Sequence, residues 1–325
     1  MTSVAASPSG AVRRAEFRAM GSDMTLLTAT EDADAAARLD AAHALVDRFE
    51  ERLSRFRGSS ELSRLNAQPG RPVPVSEELW DVLNHAMDGA RRTNGLYDPT
   101  ILEALERAGY DRPFDAVRDR GDLPAPPARR AAWQDVVLDS TDRRVTLPPG
   151  VRLDFGGIGK AWTADRVAAA LSSVGPCLVD AGGDISVRGV PVGWQAWPVG
   201  VTDPRNPAET LTILGVADCG VATSGIDVRH WRRGGQMCHH IIDPRTGRPA
   251  ETDLLSVTVV ASDAKEANLH AVATMILGSD EGMRYLAAQR GVDALAVRQD
   301  GGLRCTDGFW AYVWSERRAG GRIDA

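Results

Sequence analysis

Apolar side chains recur every three to four positions at Leu39, Ala42, Val46 and Phe49, a spacing that predicts an amphipathic helix over Asp34–Leu53. Leu79, Val82, Leu83 and Met87 repeat the pattern and predict a second helix over Ser76–Asn94. A strand-like stretch, Phe17–Thr28, precedes the first helix, and the Pro-rich passage Leu123–Pro127 reads as a surface loop. From Val136 onward the texture changes to short apolar runs between glycine turns. Strands are predicted at Val151–Asp154, Cys177–Val179, Ile185–Val187, Gln195–Val201, Thr212–Val216 and Leu255–Val260. Two more helices are predicted there, about Ile158–Val174 and Ala264–Leu277. No internal repeat of fixed period is visible. Strand clusters interspersed with a few long helices predict an α+β (mixed α/β) fold. Residues 1–13 are small and polar and are read as a disordered tail. Residues 14–318 are read as a single domain and 319–325 as a short C-terminal tail.

Composition narrows the possibilities. The chain has 325 residues, 43% hydrophobic and 25% charged, which is ample for one sizeable core. With a net charge of −6 and no basic stripe to neutralise phosphates, nucleic acid is not expected as a partner. No run of 18 or more apolar residues occurs, so no membrane-spanning helix is expected. The stretch MTSVAASPSGAVRR has neither an apolar signal core nor a lipid-bearing Cys, and a cytoplasmic location is the expectation. Cys177, Cys219, Cys238 and Cys305 are widely spaced, with no zinc or CxxC pattern, and read as ordinary thiols. Only Lys160 and Lys265 are lysines among 38 basic residues. That singles out Lys160, which lies in a glycine-rich segment.

The densest chemistry is in Leu153–Asp165, LDFGGIGKAWTAD. Strand, glycine turn and helix follow in order, so the amides of Gly156–Gly159 would sit at a helix N-terminus, where unpaired N–H groups and the helix dipole favour an anion. Lys160 could add a full charge facing a pyrophosphate; the same turn could also be purely structural. Two further glycine turns follow, Asp180–Ile185 (DAGGDI) and Ala222–Gly225 (ATSG). Asp184 could meet a ligand hydroxyl or cap its turn. In HHIIDPRTGRP, His239–Pro249, titratable groups crowd a Pro- and Gly-bounded turn. A histidine there could act as general base for a hydroxyl nucleophile. Asp243 could orient it, and Arg245 could pair with a phosphate or brace the turn.

Together, Met20-Gly21-Ser22, Ser60–Asn66 (SELSRLN), Gly95–Thr100 (GLYDPT), DFGGIGK, DAGGDI, ATSG and HHIIDPRTGRP resemble the ApbE family of FAD:protein FMN transferases in order and approximate spacing, over residues 15–315. The resemblance implies FAD in a cleft between a β-rich core and helices. It implies a Mg²⁺-assisted reaction that moves FMN from FAD to a Thr or Ser of a partner flavoprotein and releases AMP. The acceptor segment has the form Asp-x-x-Ser/Thr-x-Ala-Thr, which this chain lacks. By motif, Met20 and Phe56 would flank the flavin or adenine rings, and Leu96, Tyr97 and Asp98 would contact FAD. Asp154 and Lys160 would hold ribose or phosphate, and Ile241 would line the same pocket. His240 would deprotonate the acceptor hydroxyl, and Gly157 would lend a backbone oxygen to the metal.

The sequence departs from that pattern on its last long helix. There the family carries metal ligands as an Asp and, four residues on, a Thr; an ungapped alignment to Leu277-Gly278 places Asn268 and Val272 at these positions. Asn keeps an oxygen without the charge, and Val supplies no ligand. A two-residue slip would offer His270 and Thr274 instead, although imidazole suits Mg²⁺ poorly. Two other functions are compatible with these substitutions: an FAD carrier or scaffold without transferase activity, and a divergent enzyme such as an FAD pyrophosphatase.

Overall fold

The computed structural model describes residues 12–119, 121 and 132–314. The chain opens on a hairpin of β1 (Val12–Ala19) and β2 (Ser22–Ala29). It continues through α1 (Ala35–Leu53), α2 (Glu61–Asn66), β3 (Val73–Pro74), α3 (Glu77–Arg92), α4 (Leu102–Ala108), β4 (Val137–Asp139) and β5 (Arg144–Thr146). Then come α5 (Gly159–Leu171), β6 (Cys177–Ala181), β7 (Asp184–Arg188), β8 (Trp197–Asp203), β9 (Asn206–Val216) and β10 (Gly220–Gly225). A second hairpin, β11 (His230–Arg233) and β12 (Gln236–His239), leads to the small ladder of β13 (Ile242–Asp243) and β14 (Arg248–Pro249). The chain closes with β15 (Leu254–Ala261), α6 (Ala264–Ala287), β16 (Asp293–Arg298) and β17 (Leu303–Cys305).

Eight strands form one sheet in the order β1-β2-β6-β7-β10-β15-β16-β17, and every neighbouring pair is antiparallel. Period-two alternation divides the side chains between its faces. Leu26, Val179, Ala222, Val259 and Ala294 join the helices, whereas Leu27, Leu178, Val221, Val260 and Leu295 join the β8–β9 ribbon. The sheet is therefore buried on both sides. Helices α1 and α3 turn their predicted apolar stripes, Leu39–Phe49 and Leu79–Met87, into the helix-side core. Ser76 starts α3 by accepting the Leu79 amide at 3.2 Å, and acidic and basic residues occupy its first and last turns as the dipole favours.

Several expectations are corrected. Phe17–Thr28 is two strands, because Met20 (φ 52°) and Gly21 (φ 67°) make a tight left-handed turn for which a methionine gives no signal. Val151–Asp154 is not a strand: Leu153 exchanges its backbone bonds with the Asn66 side chain, and the Asp154 amide bonds to Pro99. The ATSG segment lies within β10 and is not a turn. Helix α6 continues past Leu277 because Gly278 bridges two helical runs at φ 77° and ψ 179°. Residues 12 and 13 belong to β1 rather than to a tail. The Leu123–Pro127 loop and the 319–325 tail lie outside the described residues. Among the described residues, no helix is long and apolar enough to cross a membrane.

Candidate functional site

Three turns and two helices meet at one corner of the sheet. The glycine turn before α5 is pinned from below: Asp154 accepts the Gly156 amide at 2.8 Å and the Arg55 Nε at 2.7 Å. Helix α5 begins with no side-chain cap and no acidic residue in its first turn, but the expected row of free amides over Gly156–Gly159 is corrected: Gly156 donates to Asp154, and Ile158 and Gly159 donate to the Phe155 carbonyl. A Cβ on Gly159 would lie 3.8 Å from the Met20 Cε, which places the β1–β2 turn over this helix end. A Cβ on Gly157 would lie 3.1 Å from the Tyr97 ring, which brings the GLYDPT segment to the same turn.

Lys160, in the first turn of α5, forms an ion pair with Asp184 at the start of β7. The other oxygen of Asp184 accepts a hydrogen bond from the Asn268 Nδ2 of α6 at 3.0 Å. Asp184 is 1% exposed, and the residues preceding it, Gly182 (φ 67°) and Gly183 (φ 94°), supply the left-handed backbone that turns β6 into β7. Arg229 closes the corner by donating to the Gly21 carbonyl at 3.2 Å and to the Ser22 Oγ at 3.1 Å. Lys160, Asp184, Asn268, Arg229, Met20 and the start of α5 thus converge from five separate segments.

The adjacent histidines behave differently. His239 is fixed by a 3.1 Å contact of Nε2 with the Ala250 carbonyl. Both histidines leave Nδ1 buried and unpartnered, and the difference lies in the charges around them. Burial, followed by the charges of Arg229, His239 and Lys160, pushes the His240 imidazole down to about 3, against an opposing backbone hydrogen bond at Arg229. It is therefore neutral near pH 7. Its sensitivity to Lys160 and Arg229 places it in their electrostatic field.

Asp243 and Arg245 are elsewhere engaged. Asp243 accepts the Arg245 amide, Nε and NH2, all at 2.9 Å, and does not touch His240. The expectation that Asp243 orients the imidazole is corrected: the turn closes on itself, and Arg245 braces it. Asp98 accepts the Thr100 amide at 2.7 Å and the Thr100 hydroxyl at 2.6 Å, and burial raises its carboxyl to about 6. The Tyr97 hydroxyl is buried without a partner. Leu96 and Ile241 pack against the α6 side of the core. Phe56 is 39% exposed and carries the Arg55 guanidinium 4.1 Å above its ring. It lines a cavity of about 400 Å³ with Arg55, Ser63, Asn66 and Arg152. A larger cavity of about 580 Å³ lies between the YDPT and IIDPRTG segments, lined by Thr100, Ile101, Ile242 and Pro244. It contains none of the charged corner residues.

Sequence reasoning missed Arg229 and Arg55. Arg229 lies one residue before His230-Trp231-Arg232-Arg233, where nothing distinguishes one arginine from the next. Arg55 becomes legible only when its buried partner Asp154 is known.

The donor set does not fit a resident Mg²⁺. That ion is usually held through one or two carboxylates together with substrate phosphates. Both Asp184 oxygens are occupied, Asn268 offers one neutral oxygen, and Val272 is apolar and packed into the core. The alternative pair fails as well, because His270 Nδ1 meets the Tyr285 hydroxyl at 2.7 Å. Among the described residues, no three His, Cys, Asp or Glu side chains are grouped to hold a metal.

Comparison with known proteins identifies the family and the fold. Residues 20–296 match the family model described as the ApbE family. The chain is 32% identical over 296 residues to the FAD:protein FMN transferase of Treponema pallidum, covering 85% of this chain and 81% of that one. It is 31% identical to one from Klebsiella pneumoniae, covering 86% and 87%. The fold is similar to the ApbE protein from Thermotoga maritima, with TM-score 0.85 and 26% identity over 94% of this chain and all of that one. The flavin transferase ApbE from Vibrio cholerae shares the fold at TM-score 0.78 and 23% identity, again over 94% of this chain and all of that one.

Proposed function

The chain belongs to the ApbE family, and from that premise we infer that it is an enzyme that transfers FMN from FAD to a partner protein. The acceptor we assign is a Thr or Ser hydroxyl on a flavoprotein, within a segment of the form Asp-x-x-Ser/Thr-x-Ala-Thr. We take the transferase domain, read from the sequence as residues 14–318, to begin with β1 at Val12. The observation that carries the reading is the convergence of Lys160, Arg229 and a neutral His240 beside the uncapped start of α5.

FAD joins FMN to AMP through a diphosphate. In the transfer, the acceptor oxygen bonds to the FMN phosphorus as the P–O bond to AMP breaks. AMP leaves with the bridging oxygen, and the hydroxyl proton passes to His240. Such a substitution needs positioning and charge neutralisation more than covalent help. The start of α5 and the cations Lys160 and Arg229 suit the diphosphate. Met20, Phe56, Leu96, Tyr97, Asp98 and Ile241 are the residues we assign to the flavin and adenine portions. Asp154 serves through Arg55 and the Gly156 amide, both of which it holds.

The depressed pKa of His240 fits this order of events. Burial is the main cause of that depression, and the charges of Arg229, His239 and Lys160 add to it; a bound dianionic diphosphate offsets the part due to the cations and so raises the basicity of the imidazole. The test is mass spectrometry of an acceptor flavoprotein domain incubated with FAD and enzyme. Covalent FMN on a Thr or Ser is the expected product. FAD binding with no adduct on any hydroxyl, or AMP release without an acceptor, would contradict the assignment.

A further inference from the structure

The side-chain set around Asp184 bears on how this site meets the charge of its substrate. Asp184 is held on one oxygen by the Lys160 ammonium and on the other by the Asn268 amide. All three are withdrawn from solvent, with side chains 15% and 2% exposed for Lys160 and Asp184, and Asn268 5% exposed as a residue. The charges sum to zero within the cluster. An ammonium has three donors, and Asp184 occupies one. The Asn268 Oδ1, an acceptor, is buried without a partner and is neutral.

A carboxylate at position 268 would alter this arrangement. Two carboxylates would then share one ammonium, and the second, lacking N–H groups, could not donate to Asp184. The pocket would carry a net negative charge and require another cation before admitting a diphosphate. Asparagine removes that requirement and fastens Asp184 in place.

We propose that the Lys160–Asp184–Asn268 cluster supplies the fixed cation of this site, so that FAD binding and FMN transfer require no divalent metal. The inference rests on the transferase reading above. As the acceptor oxygen bonds to the FMN phosphorus and the P–O bond to AMP breaks, negative charge gathers on the departing oxygen. The Lys160 ammonium faces that charge, the proton of the acceptor hydroxyl goes to His240, and no electron is transferred. Asp184 and Asn268 are positioning residues that fix the direction of the ammonium.

The experiment compares FAD affinity of the full chain, followed by flavin fluorescence quenching, in EDTA and in millimolar Mg²⁺. The proposal expects the two dissociation constants to agree within about twofold, under 0.5 kcal/mol. Affinity at least about tenfold tighter in Mg²⁺, 1.4 kcal/mol, would overturn it. The Asn268→Asp variant expects the opposite behaviour: weak FAD binding in EDTA that Mg²⁺ restores. Wild-type affinity of Asn268→Asp in EDTA would also overturn the proposal. Lys160→Met is expected to weaken FAD at least about tenfold in both buffers; rescue of this variant by Mg²⁺ to wild-type affinity would count against it. Where FAD binds the wild type in neither buffer, the transferase reading falls, whereas metal-dependent binding removes only this inference.

Discussion

His239 and His240 are neighbours in sequence, yet their surroundings separate their roles. Each makes a backbone hydrogen bond and leaves its Nδ1 buried and unpartnered, but only His240 lies in the field of Arg229 and Lys160. His240→Ala is expected to lower the transfer rate by roughly 10²–10⁴-fold, the range of a lost general base. FAD affinity should change far less, and single-turnover kinetics with a separate binding titration check the pair of outcomes. Asp98 offers a test through pH. Its carboxyl is raised to about 6 by burial, so between the ordinary value of 3.8 and 6 the folded chain holds a proton that the unfolded chain releases. The contribution of this group to stability therefore falls as pH rises through that window and stays low above it. Asp98→Asn keeps the acceptor for Thr100 and removes the charge. Relative to wild type, its thermal stability should improve above pH 6 by on the order of 1–3 kcal/mol and show no gain below 3.8. At this scale the sequence disclosed which residue types matter but not their partners. Asp243 stands close enough to His240 in the chain to suggest an orienting pair, and it instead closes on Arg245.

Helix α6 carries Asn268 to the site, and its position depends on two anchors. At its start, Asp165 of α5 accepts the amides of Ala264 and Lys265 and pairs with the Lys265 Nζ at 2.8 Å. Asp165→Ala leaves those amides without that acceptor and the mostly buried Lys265 ammonium with only Asp263, 3.5 Å away. A loss of about 3 kcal/mol is expected, measured by denaturant unfolding, together with weaker hydrogen-exchange protection at the start of α6. Further along, Gly278 holds a left-handed φ that other residues adopt only with strain. Gly278→Ala is expected to cost about 1–3 kcal/mol. An equally stable variant would show that the break is not needed. The helices were legible because their apolar stripes repeat with the helical period. The β1–β2 turn was not, since Met20 adopts φ 52° under pressure from the hairpin rather than from its own preference. Strand-like residues at Val151–Asp154 misled for a related reason: the Asn66 side chain satisfies the Leu153 backbone where a neighbouring strand would otherwise be required.

For the whole molecule, the mixed fold and the order of motifs could be read from the chain, whereas the strand order could not. β2 pairs with β6 across most of the helical layer, and β7 pairs with β10 across the β8–β9 ribbon. Such pairings are set by which faces bury together, a property no local pattern encodes. This topology brings the turns after β1 and β6, the start of α5 and the second turn of α6 to one corner, where the charged cluster stands. The direct measurement is the intact mass of a flavoprotein domain bearing the Asp-x-x-Ser/Thr-x-Ala-Thr segment after incubation with FAD and either wild-type enzyme or the His240→Ala variant. The account predicts an FMN adduct on the Thr or Ser with the wild type and almost none with the variant at saturating FAD. Equal adduct from both proteins would contradict it.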